Sequence, residues 1–386
     1  MSGRLLRWVG TGAAVGALLT PAYPAYAVPG PDGAGERSVS DLLTDLQELY
    51  RKAEESTETY NATAEKLKEQ RAEVKRLNGH LTRARTSVRE SRGAAGRFAR
   101  QQYQGRTNIS PYVHLLLARN PQQALDQGHV IGRASAERAA TVGRLVGGEK
   151  KASDLASEAE KALETQLALA ARQKEARDTV KGQLKEVEEL LASLSAEQLE
   201  DLARAEQEGM AESQQKFLKS GSLSGSQGSA APTRPPSRRG DKALSYAVRQ
   251  IGKPYKWGAE GPKAFDCSGL TSQAWAKAGK EIPRTSQEQW AQLRRVSLRK
   301  LRPGDLIVYF PKATHVALYL GDGMVIQAPR PGAKVKVSPI AANPVRGAVR
   351  PDPSAKPMKG YEPPKLPRGA LNGGDTGYGA AGAPRG

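Results

Sequence analysis

The 386 residues hold one cysteine, Cys267, and aromatic side chains make up only 5% of the chain. A single thiol cannot form an internal disulfide, so covalent cross-links cannot hold this fold together. With 38% hydrophobic and so few aromatic residues, the chain can furnish one modest aromatic-containing core, and the remainder is expected to be extended. No cluster of Cys, His and carboxylates has metal-ligand spacing, so no metal is expected. No phosphate loop or dinucleotide fingerprint occurs, and no cofactor is expected. Beyond the N-terminus no run is apolar enough to cross a membrane. Acidic residues are in deficit: 40 Asp and Glu face 59 Lys and Arg, for a net charge of +19. That excess favours polyanions such as nucleic acid, acidic lipid or an anionic cell wall. It equally suits solvated faces of long helices.

The N-terminus separates these partners. Arg4 and Arg7 precede an uncharged run from Trp8 to about Thr20, and Ala25-Tyr26-Ala27 follows as a small-x-small pattern. This reads as a secretory signal peptide over 1–27, cleaved near Ala27. An uncleaved anchor is the alternative, although Gly and Pro break the short apolar stretch. The expected location is therefore secreted, extracellular or wall-associated. Anionic wall polymers become an expected partner and nucleic acid does not. Secreted chains usually use cysteines in pairs, so a lone one implies intermolecular pairing or a reactive thiol.

From Val39 the pattern is helical. Val39, Leu42, Leu46, Leu49 and Ala53 step by three and four; after a polar interval the stripe resumes at Tyr60, Ala64, Leu67, Val74, Leu77, Leu81, Ala84 and Val88. The spacing predicts a coiled coil of about seven heptads. A second seam runs from Leu155 through Ala159, Val180 and Val187 to about Leu202. Pro111, Pro121 and several glycines interrupt the segment between them, which reads as short helices capping a hairpin. The two runs in 28–219 would then pair antiparallel within one chain; a parallel homodimer is the alternative. Residues 220–240 read as a Ser/Gly/Pro linker, and 351–386 as a disordered Pro/Gly-rich tail.

Residues 241–350 differ in texture. "DKALSYAVRQIG" is helical, Asp266 can cap a helix from Cys267 to about Lys277, and a further helix is expected over Ser286 to Leu293. Strand patterns follow at 305–310, 315–320, 324–328 and 333–338. Helices first and strands afterwards predict an α+β domain with an antiparallel sheet.

Cys267 then falls in the first turn of a helix, where unpaired N–H groups and the macrodipole stabilise a thiolate and can also receive an oxyanion. Nucleophilic catalysis needs a base, and His315 is the only histidine in 241–350. A base needs an orienting acceptor, and Gln327 is the polar residue in an otherwise apolar neighbouring strand; a turn at Gly321-Asp322-Gly323 brings it near His315. The candidate catalytic set is therefore Cys267, His315 and Gln327. No metal enters it.

The segments "GKPYKWGAEGPKAFDCSGL", "IPRTSQEQW", "LRPGDLIVYF" and "HVALYLGDGMVIQAPRPG" closely resemble, in order, the motifs of the NlpC-type cell-wall cysteine peptidase family. The resemblance covers 241 to about 350. It implies a papain-like α+β domain, with Cys267 as nucleophile and His315 as base. The third polar residue, often histidine in the family, is Gln327 here. The resemblance also places Tyr255 beside the nucleophile, Asp266 and Ser268 in a substrate subsite, and Arg284 and Ser286 in the R-x-S turn. Each has a plainer reading: Tyr255 and Trp257 as core aromatics, Asp266 as a helix cap, Arg284 and Ser286 as a helix start. Asp305 reads as a turn residue.

The expectation is thus a multidomain chain, a long coiled-coil hairpin plus a papain-like α+β domain. The implied activity is hydrolysis of peptidoglycan stem peptides, at the D-γ-glutamyl–diaminopimelate bond. An amidase or acyltransferase on the same fold is the rival enzyme. A coiled-coil scaffold for cell-division proteins is the rival outside enzymes. The coiled coil is expected to regulate or localise the domain, either covering the cleft until a membrane-bound division complex withdraws it or setting a distance from membrane to wall.

Overall fold

The computed structural model describes residues 38–104, 120–223 and 234–371. The expected signal peptide, the middle of the expected linker and the end of the tail lie outside the described residues. Among the described residues no helix is long and apolar enough to cross a membrane.

Two long helices, α1 (Val39–Gln104) and α2 (Pro121–Ala192), pack side by side. Their order is antiparallel. Leu42 and Leu46 meet Val187, the Gln70 side chain donates to the Ala162 carbonyl at 2.9 Å, Leu77 and Leu81 enclose Ala159, and Arg92 pairs with Glu149 at 2.7 Å. Leu42, Leu46, Leu67, Leu77, Leu81 and Val88 of the expected seam are buried, others such as Val39 and Val74 are half-buried, and Tyr60 turns to Trp257 instead. The expected cap of short helices is not what 121–150 form: α2 begins at Pro121, capped by Asn120, and runs unbroken through that segment. Its glycines at 128, 132, 143 and 147 have open space around them, so each costs only helix propensity, about 1 kcal/mol. Gly148 differs, because a Cβ there would lie 3.2 Å from the Val88 side chain, which would have to give by a few tenths of an ångström.

The second seam also ends early. The chain leaves α2 at Ser193 and restarts at Ser195, whose side chain and Gln198 form a reciprocal capping box for α3 (Ala196–Lys219). Leu202 still packs on Leu42 and Leu46, but from a helix that has turned toward the C-terminal domain.

That domain begins with α4 (Arg238–Val248), α5 (Cys267–Lys277) and α6 (Ser286–Gln292). Six antiparallel strands follow: β1 (Arg294–Val296), β2 (Leu306–Tyr309), β3 (His315–Gly321), β4 (Met324–Gln327), β5 (Lys336–Pro339) and β6 (Val345–Arg350), in the spatial order β1-β6-β2-β3-β4-β5. Period-two alternation sorts β3. Val316 and Leu318 join Leu244, Leu270 and Trp275 beneath the helices, while Ala317 and Tyr319 face the opposite core, which Phe217 of α3 helps to cover. His315 shares the face of Ala317. The β3–β4 turn places Asp322 and Gly323 at positive φ, as a tight hairpin requires.

The compact unit is larger than 241–350. Asp352 pairs with Arg302 at 2.6 Å and also accepts from Ser237, the cap of α4. The Met358 N–H donates to the Pro236 carbonyl, and Val337 donates to the Ala370 carbonyl. Residues 351–371 therefore do not form the disordered tail their composition suggested; non-local bonds fix them. Asp352→Ala leaves the nearly buried Arg302 guanidinium without its charge partner. It is expected to lower stability by about 3 kcal/mol in denaturant titration. An unchanged midpoint would show that the segment is not part of the cooperative unit.

Candidate active site

The loop before α5 is shaped to present a thiol. Asp266 adopts extended backbone and its Oδ1 accepts from the Gly269 N–H at 2.6 Å, capping the helix that begins at Cys267. The Asp266 N–H donates to the Ala259 carbonyl. Gly269 is obligatory here, since a Cβ would lie 2.3 Å from that same carbonyl oxygen. Asp266 has a second task. Arg284 donates to both its oxygens, at 3.1 and 2.7 Å, and to Ser268 Oγ at 2.9 Å. Asp266 thus caps α5 and at the same time holds the Arg284 guanidinium.

On the sheet, His315 is fully buried, and its Nε2 lies 2.7 Å from Gln327 Oε1. The amide oxygen can only accept, so Nε2 carries a proton and Nδ1 is the nitrogen turned to the cleft. Tyr309, opposite His315 in the β2–β3 register, lies against the imidazole at 5.6 Å between ring centres. Tyr255 is buried, and its hydroxyl is pushed up by burial and then by Cys267, Asp266, Glu54 and Glu58 nearby.

The α1 residues that fill the cleft were not singled out in the sequence. Four polar residues of α1, Glu54, Thr57, Glu58 and Asn61, are buried on one helical face against this site. Glu58 Oε1 accepts from Ser268 Oγ at 2.7 Å and lies 3.7 Å from Cys267 Sγ; its Oε2 accepts from the Ser286 main-chain N–H at 2.8 Å. One turn earlier, Glu54 Oε1 lies 3.2 Å from His315 Nδ1, a charge contact rather than a directed hydrogen bond. Asn61 donates to Asp266 Oδ2 at 3.1 Å, Tyr60 stands edge-on to Trp257, and Lys312 pairs with Glu55. The structure therefore brings Asp266, Ser268, Arg284 and Ser286 together beside Cys267, with Ser286 contributing its backbone. The signal for Glu54, Thr57 and Glu58 was present only as the polar interval between Ala53 and Tyr60, and Asn61 carried none.

These carboxylates change the charge state of the site. Burial first, then Glu58, Asp266 and Glu54, push the Cys267 thiol well above its ordinary range, so it is held neutral. Burial alone would lower His315, but Glu54 at Nδ1 and the bond to Gln327 outweigh it and raise the imidazole. Burial and then Asp266 raise Glu58 to about 7, against the hydrogen bonds from Ser268 and Ser286 and the field of Arg284.

Fold and site together define an α+β domain with a thiol at a helix start and an amide-bonded imidazole on the sheet. Residues 252–349 match the model of the NlpC/P60 family, and the chain carries a domain of that family. A probable endopeptidase of Corynebacterium glutamicum is 44% identical over 121 residues, 31% of this chain and 58% of that protein. The chain thus spans little more than half the length of this relative. Among solved structures, the NlpC/p60 domain of the peptidoglycan hydrolase SagA is 33% identical, with a TM-score of 0.28, covering 29% of this chain and 97% of that one. RipD from Mycobacterium tuberculosis, described as a non-catalytic NlpC/p60 domain protein adapted to peptidoglycan binding, is 34% identical, with a TM-score of 0.27, covering 30% and 98%.

Proposed function

We propose that this protein is a secreted peptidoglycan endopeptidase in which α1 holds the catalytic cleft shut. The observation that carries the reading is that one face of α1 meets both a thiol at a helix N-terminus and an amide-oriented imidazole, Glu58 lying 3.7 Å from Cys267 and Glu54 3.2 Å from His315. In the open enzyme the Cys267 thiol passes its proton to His315, and the thiolate rests against the unpaired N–H groups of α5. The thiolate attacks the peptide carbonyl. The N–H groups at the α5 start receive the oxyanion, His315 protonates the leaving amine, and water activated by His315 then releases the acyl group. Gln327 keeps the proton on Nε2 so that Nδ1 does this work. The pocket of Ser268 Oγ, the Ser286 N–H and Arg284, which Glu58 fills, suits a carboxylate on the acyl half, and supports D-γ-glutamyl–diaminopimelate as the bond. Incubation with soluble stem peptides and chromatography of the products tests this. Products starting at diaminopimelate identify the endopeptidase; release at an amino-sugar link would identify an amidase instead.

The closed state binds protons that the open state releases. Glu58 keeps its proton up to about 7 when docked and gives it up near the ordinary glutamate value of 4.5 when solvated. Its contribution to closure is full below 4.5 and is lost as pH rises through about 7. Raised His315 and raised Cys267 have the same sign. Repression, taken as the rate of an arm-released variant over that of the intact chain, is expected to shrink as pH rises from 5.5 to 8. Repression that grows with pH would contradict this assignment.

A further inference from the structure

A second anchor of the arm lies on the other side of His315. Arg330 follows Gln327 by three residues, and its two terminal nitrogens face the two carboxylate oxygens of Glu206 on α3, a fork-to-fork pair with one arm at 3.0 Å. The guanidinium also stacks over Tyr50 of α1 at 4.8 Å. Arg330, Gln327, Lys336 and Glu54 line one cavity of about 990 Å³ between the arm and the sheet. Lys336 stands opposite Gln327 in the β4–β5 register, so the domain side of this cavity carries two cations.

The arm therefore sets a carboxyl group against the domain at three points: Glu58 at the thiol, Glu54 at the imidazole and, across the cavity that Glu54 and Gln327 also line, Glu206 at Arg330. Chemistry fixes which half of a substrate meets which point. The imidazole protonates the leaving amine, so the leaving half must lie on the side of His315 and Gln327. That is the side of the cavity and of Arg330. A guanidinium fork matches a carboxylate in two bonds, which a lysine ammonium does not.

We propose that Arg330 is a specificity-determining residue. It binds a free carboxylate on the leaving half of the substrate once Glu206 has withdrawn, so Glu206 occupies the position of a substrate group. This rests on the endopeptidase reading above. In a diaminopimelate stem peptide the leaving half carries such a carboxylate, on the side-chain carbon centre.

The test uses the full chain as wild type, Glu206→Ala, Arg330→Ala and Arg330→Lys. Two soluble stem peptides are compared, one with the diaminopimelate side-chain carboxylate free and one with it converted to carboxamide. The readout is the ratio of kcat/KM for the two. Wild type and Glu206→Ala are expected to prefer the carboxylate at least tenfold, with Glu206→Ala faster on both peptides. Arg330→Ala is expected to bring the ratio near one, mainly through KM, and Arg330→Lys to give an intermediate ratio. A ratio retained in Arg330→Ala overturns the proposal, even if that variant is faster, because Arg330 would then only latch the arm. A wild-type ratio near one overturns it as well. A set of variants inert on both peptides instead removes the endopeptidase reading, and the proposal with it.

Discussion

Replacing Glu54 and Glu58 together by alanine in the full chain is expected to raise the rate of stem-peptide hydrolysis by roughly tenfold to a hundredfold. Two effects oppose each other. Glu58 gives up hydrogen bonds from Ser268 Oγ and the Ser286 N–H, and Glu54 gives up its contact with His315. Hydrogen bonds contribute about 0.5–1.5 kcal/mol each, and up to about 3 kcal/mol where the group is charged. Against this, the variant no longer buries two carboxylates, and Glu58 is docked at a cost that shows in its raised proton affinity. A net loss of about 1.4–2.8 kcal/mol in docking shifts the open population by the stated factor. The single cysteine supplies an independent readout. Cys267 is 2% exposed and held as a thiol in the closed chain, so its alkylation should accelerate in parallel with hydrolysis. Equal rates of both in wild type and variant would leave the helices as a spacer only.

The second large effect is loss of the reaction itself. In the arm-released background, Cys267→Ser and His315→Ala are each expected to lower kcat by about four orders of magnitude or more, as removal of single members of such constellations does. Gln327→Ala should cost less, about tenfold to a hundredfold, since it orients the imidazole without touching the reacting atoms. Its loss should also disturb the pH profile, because Nε2 loses the acceptor that fixes the tautomer. Circular dichroism and a denaturant midpoint establish that each variant is folded. Full activity in Cys267→Ser would end the thiol mechanism.

What was legible in the sequence follows the range of the interactions. Asp266 and Cys267 were readable because capping and the helix start are local; the close approach of the Ala259 carbonyl to Gly269 was not. His315 and Gln327 were readable through one tight hairpin, with a two-residue period that fixed which face each side chain took. The α1 residues were not, because Glu58 meets Ser268 across 210 positions. Along the chain, Glu54, Thr57 and Glu58 register only as a break in an apolar seam, and Asn61 not at all. A seam that breaks where the helix continues means the buried face has changed partner, from helix to polar cleft, and spacing alone cannot name that partner. The turn at Ser193 was hidden for a related reason: Leu202 keeps the apolar rhythm although the helix has ended and restarted. Residues 351–371 were misread from their Pro and Gly content, because the Arg302–Asp352 pair and the strand-like bonds that fix them are again non-local.

The length of α1 has a mechanical consequence. At 66 residues it extends roughly 100 Å, and Glu58 lies about 70 Å from its far end. With α2 stiffening it alongside, the hairpin is a lever whose fulcrum is the cleft. A sideways load at the distal end is multiplied into torque on Glu54 and Glu58, whereas the same load near Tyr60 is nearly without leverage. On the closed-arm reading, the gate answers most strongly to the partner that grips it furthest from the thiol.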